Sequence, residues 1–318
     1  MNWLLVVAGW LFGLGLAQAQ SFVSLDNHAK TTRFDTGDDL SKLVNTLITP
    51  AQNDLEKVRT LFIWTATHIY YDDRQVKLYQ YGFAEKSVDT LALAIRIMRQ
   101  KWGVCTDYSL LLYQLLKSAG LPARIITGYA RGQPDQAGTP IRSINHQWNM
   151  VFLEGRWQPL DATWGSTNNG TRPLNMYYFL TPPAQFMASH LSANPVDQQV
   201  GKPLTKTEFD MLPRVYDDYF TLGFGPDFPR KGLLQIKRKL QLFVINPAQM
   251  EFAVLAHRYG QPKNKRTFYY STFRQKTGYD LTMQVFRDGV YSVHILSRPK
   301  GDLNDYKLVL TLTVIRSH

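Results

Sequence analysis

An α+β domain followed by a small all-β sandwich is the fold class this sequence predicts. Two hydrophobic patterns carry that reading: helical runs at 53–71 and 108–116 that lead into strand patterns from residue 123, and six strand patterns after residue 236. A third observation marks the boundary. Residues 1–229 hold 20 Lys and Arg against 20 Asp and Glu, whereas residues 230–318 hold 16 against 5, so the formal charge of +11 lies in the second part.

The first 20 residues, MNWLLVVAGWLFGLGLAQAQ, carry no charged side chain and end in the small-x-small pattern Ala17, Gln18, Ala19. This predicts an export signal over residues 1–19, cleaved after Ala19. The apolar stretch is too short and too interrupted for the about 20 residues a membrane span needs. A secreted or periplasmic protein with no transmembrane segment in the mature chain is the expectation.

In NDLEKVRTLFIWTATHIYY (53–71), Asn53 stands as N-cap with Glu56 three residues on, and Leu55, Val58, Leu61, Phe62 and Ile69 follow a helical period. A second helix starts near Cys105 in KWGVCTDYS, continues through YSLLLYQLL (108–116), and ends at Gly120 and Pro122. Cys105 is the sole cysteine of the chain. A lone cysteine commonly packs as a small hydrophobe. In the first turn of a helix, however, unsatisfied N–H groups and the positive end of the dipole favour a thiolate and can hold a developing oxyanion.

ARIITGYAR (123–131) reads as a strand, and HQWNMVFLE (146–154) with RWQPLDATW (156–164) as a hairpin. If Glu154 and Gly155 form its two-residue turn, facing residue numbers sum to 309. His146 then faces Thr163, Trp148 faces Asp161, and His146 and Asp161 share one sheet face as diagonal neighbours. Together with Cys105 they read as nucleophile, base and orienting acid. Singly, His146 reads as an ordinary strand histidine and Asp161 as a turn residue after Pro159.

The order of a cysteine on a helix, a histidine on one strand and an aspartate on the next resembles the transglutaminase-like superfamily, a relative of papain-type thiol proteases. Within it, RTLFIWTATHIYYDD (59–73), VCTDYSLLLYQLLKSAGLPARIITGYARG (104–132), NHQWN (145–149), WQPLDATWG (157–165) and YYFLTPPAQFMASH (177–190) are similar to the kyphoscoliosis peptidase branch. The resemblance spans about residues 40–230 and implies a papain-like catalytic domain with Cys105, His146 and Asp161 as its triad. Thr106 and Asp107 depart from the family, which more often has a small residue or glycine there. The resemblance implies a thiol-dependent amide or peptide hydrolase acting on a peptide or protein substrate. Protein cross-linking acyl transfer, and a non-catalytic adhesion or scaffold module, are the alternatives.

Four tryptophans flank these segments. Trp64 reads as core, or else as a cleft wall or oxyanion donor; Trp102, next to the nucleophile, as a cleft wall; Trp148 and Trp164 as shields around the imidazole. His190 has no accompanying acid or thiol and reads as a loop-fixing residue. No HExxH, CxxC or glycine-rich phosphate loop is present, so no metal and no cofactor is implied.

The catalytic domain is expected over residues 21–229, with 213–229 as linker, and the basic domain over 230–318. Strands are expected at 239–245, 251–259, 266–274, 279–287, 291–297 and 306–315, with a hairpin turn at Asp288-Gly289 and an immunoglobulin-like arrangement. The excess charge suggests an anionic cell-surface polymer as partner, with a plain solubilising face as the alternative and no nucleic acid.

Overall fold

A computed structural model of the chain describes residues 22–35, 37, 39–72, 74, 89–246, 248–260 and 269–317. The expected export signal lies outside the described residues. Among them, no helix is long and apolar enough to cross a membrane. The chain divides into two compact units, one of residues 1–126 with 147–181, the other of residues 127–146 with 182–318.

The first unit is mainly helical: 22–31 (α1), Leu40–Ile48 (α2), Asp54–His68 (α3), Thr90–Gln100 (α4) and Cys105–Ser118 (α5). Helix α3 starts where the sequence predicts. The Asn53 Oδ1 accepts the Glu56 N–H at 3.0 Å, and Glu56 Oε2 accepts the Gln52 N–H at 2.7 Å, satisfying two amides at the helix start. Helices α3 and α5 pack on each other, and Val58, Leu61 and Phe62 of α3 and Leu111, Leu112 and Leu115 of α5 are all fully buried. Each such side chain contributes about 1.5–3 kcal/mol. Helix α5 stops because Gly120 turns left-handed, at φ +76°, and Pro122 cannot continue it.

Two short parallel strands, Tyr70–Tyr71 (β1) and Trp102–Gly103 (β2), precede α5. Strands Ala123–Ala130 (β3), His146–Leu153 (β4), Arg156–Leu160 (β5) and His190–Ser192 (β6) follow the order β5-β4-β3-β6. The β4–β5 hairpin has the predicted register, from Leu153 opposite Arg156 to Asn149 opposite Leu160. Glu154 and Gly155 both have positive φ, 50° and 77°, as a two-residue primed turn requires. One expectation fails here. Strand β5 ends at Leu160 instead of running to Trp164, so Thr163 does not face His146. The cause is Asp161, whose Oδ1 accepts the Thr163 and Trp164 N–H groups and turns the chain into a helical turn, Ala162–Gly165 (α6).

The second unit holds the short helix Lys206–Met211 (α7) and strands Arg214–Val215 (β7), Leu233–Ile236 (β8), Lys239–Ile245 (β9), Met250–Arg258 (β10), Tyr269–Arg274 (β11), Gly278–Gln284 (β12), Gly289–Pro299 (β13) and Lys307–Arg316 (β14). All six strands expected after residue 236 are present among the described residues; residues 266–268, the start of the third, lie outside them. They form two sheets, β11-β12-β9 and β10-β13-β14, with β7 and β8 added along β14. Leu240, Leu281 and Met283 from one sheet share a core with Phe252, Val293 and Leu312 from the other. The Tyr279 hydroxyl accepts the Met250 N–H and donates to the Ala248 carbonyl, both at 2.8 Å, tying β12 to the start of β10.

The Asp288-Gly289 hairpin is not formed. Strands β12 and β13 lie in different sheets, and Gly289, at φ 144°, opens a crossing between them. Segment 213–229 also does more than link. Its Val215 pairs with Leu310, while Tyr219, Phe224 and Phe228 join the sandwich core.

Candidate active site

Cys105 is the first residue of α5, and its thiol is half-buried and not disulfide-bonded. Val104 ahead of it is extended and makes no side-chain cap, so no side chain of the cap occupies the first-turn N–H groups of Cys105 and Thr106. The chain is held instead from the other direction. The buried Asp107 carboxylate accepts the Val104 N–H at 2.8 Å. A Cβ at Gly103 would lie 2.5 Å from the Asp107 Cβ and 2.8 Å from its Oδ2, so the two residues form one steric unit. Thr106 places its Oγ1 buried without a hydrogen-bond partner.

Tyr108 anchors the same helix. Its buried hydroxyl donates to the Ile69 carbonyl at 2.5 Å and lies 3.1 Å from Ser166 Oγ, just beyond the turn that Asp161 caps. Burial pushes the phenol well above its ordinary range, so it stays a neutral donor. Arg172 braces that turn by donating to the Ser166 carbonyl at 2.6 Å and the Thr163 carbonyl at 2.9 Å.

Asp161 is fully buried. Its Oδ1 accepts the Thr163 and Trp164 amides at 2.9 and 3.0 Å, while its own N–H donates to the Tyr178 carbonyl at 3.0 Å. These bonds fix the carboxylate plane.

His146 opens β4 and is 7% exposed. Both asparagines of NHQWN secure the backbone around it. Asn145 makes a two-way bond with Ala130, accepting its N–H at 2.7 Å and donating to its carbonyl at 2.9 Å. Asn149 donates to the Ser109 carbonyl at 2.9 Å, and the Ser109 hydroxyl donates to Gln147 Oε1 at 3.2 Å.

His190 is the residue that sequence reasoning undervalued. It is buried in β6, its ring 5.4 Å from the His146 ring and stacked on Phe186 at 4.1 Å, with Nδ1 2.9 Å from Ser189 Oγ. Pairing of His190 with Ala130 of β3 brings it there, and nothing local in ASHLSANP signals that pairing.

The tryptophans separate by environment. Trp64 donates its indole N–H to the Thr32 carbonyl at 2.9 Å, so that group is already engaged and the oxyanion role is not supported. Trp102 sits in β2 opposite Tyr70, Trp148 is buried in β4, and Trp164 packs edge-on against Tyr178 at 5.4 Å.

Residues 41–162 match the transglutaminase-like superfamily. The chain is 31% identical over 230 residues to the kyphoscoliosis peptidase of Homo sapiens, covering 68% of this chain and 32% of that protein. It is 25% identical over 224 residues to hillarin of Drosophila melanogaster, covering 64% and 26%. The chain thus spans about a third or less of the length of these relatives. A solved TGase structure aligns over 45% of this chain and 32% of its own, with 16% identity and a TM-score of 0.29.

Proposed function

We propose, on the premise that this chain carries a domain of the transglutaminase-like superfamily, that it is a thiol-dependent amide or peptide hydrolase with Cys105, His146 and Asp161 as its triad. Cys105 attacks the carbonyl carbon as thiolate, with the first-turn N–H groups of α5 receiving the oxyanion. The carbon–nitrogen bond breaks as the His146 imidazolium gives its proton to the departing amine. Water then adds to the thioester, His146 takes its proton, and the acid leaves as the Cys105 sulfur is released. Asp161, with Oδ1 held by two amides, orients His146 through its second carboxylate oxygen.

The observation that carries this reading is Cys105 in the first turn of α5, whose N–H groups no cap side chain occupies. The bonds from Ser109 to Gln147 and from Asn149 to Ser109 support it, since they hold the nucleophile's helix against the strand that His146 opens. Incubation with a peptide library, acid quench and intact-mass analysis tests it. An acyl adduct on Cys105 that decays to acid product is expected, absent in Cys105→Ala. Adducts resolved only by added amines would point to cross-linking instead, and no adduct with any substrate would favour the scaffold reading.

The enzyme acts outside the cytoplasm in this reading, after loss of residues 1–19. An anionic surface polymer retains it through exposed groups such as Lys237, Arg238 and Lys239. Release of the full chain from such a polymer on raising ionic strength from about 0.01 to 0.15 M tests the retention, and salt-independent binding contradicts it.

A further inference from the structure

A cavity of about 320 Å³ opens within the first unit, lined by Lys30, Arg33, Phe34, Trp64, His68 and Lys101 together with Thr31 and Met98. Its size is at the lower end of the about 300–1,000 Å³ of small-molecule sites. Lys30, Arg33, Lys101 and His68 supply positive or protonatable groups, and none of the described residues lining it is acidic. Such convergence of like charges is unfavourable in the empty state and is relieved by an anion.

The walls are built rather than incidental. Trp64 and His68 stack with ring centroids 4.8 Å apart and planes within 13°. The Trp64 indole is tied to the Thr32 carbonyl, and His68 Nδ1 lies 3.0 Å from the Trp64 carbonyl. Lys101 follows α4 in the left-handed region, at φ 62°, a place that glycine fills most easily. Its N–H bonds to the Ile97 carbonyl and its own carbonyl accepts the Tyr70 N–H at 3.0 Å, so the backbone is fixed while a long cationic side chain lines the cavity. Burial, and then the Lys101 charge, hold His68 below its ordinary value.

The geometry points to a binding site for a small organic anion: an oxyanion head among Lys30, Arg33 and Lys101, and an apolar or aromatic body against Phe34, Trp64 and Met98. This site uses none of the residues of the proposed triad.

Titration of the full chain with benzoate, phenyl phosphate and inorganic phosphate at constant ionic strength tests it, followed by calorimetry and by the imidazole signals of His68 in NMR. Saturable binding of the two phenyl probes is expected, with an upward shift of the His68 titration. Inorganic phosphate should bind at least about tenfold more weakly, for want of the apolar body. Whichever phenyl probe binds tighter identifies the head as carboxylate or phosphate. Lys30→Gln and Lys101→Gln, both at exposed positions, should each weaken binding about tenfold while Lys101→Arg retains it. Absence of saturable binding by either phenyl probe, or binding unchanged in the two glutamine variants, would overturn the site. Equal binding of inorganic phosphate would overturn the apolar body.

Discussion

Asn149 donates a side-chain hydrogen bond to the Ser109 carbonyl at 2.9 Å, with both residues buried. Ser109 lies one helical turn after Cys105, and Asn149 lies three residues after His146. The bond therefore sets the depth of the nucleophile's helix against β4. Asn149→Leu fills similar space without the donor and loses this bond to a helical carbonyl, so a loss of about 0.5–1.5 kcal/mol is expected in denaturant unfolding. Ser109→Ala, which removes the hydroxyl that faces the Thr106 carbonyl at 3.0 Å and Gln147 Oε1 at 3.2 Å, should cost about 0.5–1.5 kcal/mol.

Asp161 combines a cap with an orienting role, and two variants separate them. Asp161→Asn keeps an oxygen for the Thr163 and Trp164 amides, so the melting temperature should hold while turnover falls by up to about 10⁴-fold from the wrong imidazole tautomer. Asp161→Ala loses the cap as well, at about 1 kcal/mol. Unchanged turnover in Asp161→Asn would remove Asp161 from the triad.

Gly103 and Asp107 are predicted to be coupled. Gly103→Ala drives a Cβ into the Asp107 side chain and should destabilise by about 1–3 kcal/mol. In the Asp107→Gly background the obstructing Cβ and carboxylate are both gone, and the same change should cost less. A double-mutant cycle with no interaction energy would contradict the steric pairing.

The extent to which the sequence was legible follows from how local each signal is. The β4–β5 register was readable because Glu154-Gly155 fixes a two-residue turn, and that turn determines every pair of the ladder. Asn53 and Glu56 were readable for the same reason, a helix start being decided within four residues. Asp288-Gly289 failed because the partners of β12 and β13 are chosen by the two sheets, not by the dipeptide between them. Composition reads 213–229 as a linker, yet its Tyr219, Phe224 and Phe228 join the core of the second unit. A Cβ at Gly232 would lie 2.4 Å from the Leu212 carbonyl, so this glycine permits close packing. His190 stayed hidden because its neighbour, His146, is reached only through the pairing of β6 with β3.

His294 makes the sandwich sensitive to acid. Burial, then the charge of His257, lowers it to about 4; its ring contacts Thr311 Oγ1 at 2.9 Å and Ser292 Oγ at 3.3 Å. Between about 4 and the ordinary 6.5 the unfolded state binds the proton that the folded state refuses. Stability therefore rises with pH through that window, and His294 adds no slope above it. His294→Asn should flatten the acid side of a plot of urea midpoint against pH, and an unaltered slope would contradict this assignment.

The most direct measurement of the central claim is the rate of Cys105 alkylation by iodoacetamide as a function of pH, in the wild type and in His146→Ala. If Cys105 and His146 form the reacting pair, the wild type should be alkylated readily at pH 6 and His146→Ala should lose that reaction while regaining it in alkaline solution. Equal rates for the two proteins across the pH range, with both folded, would contradict it.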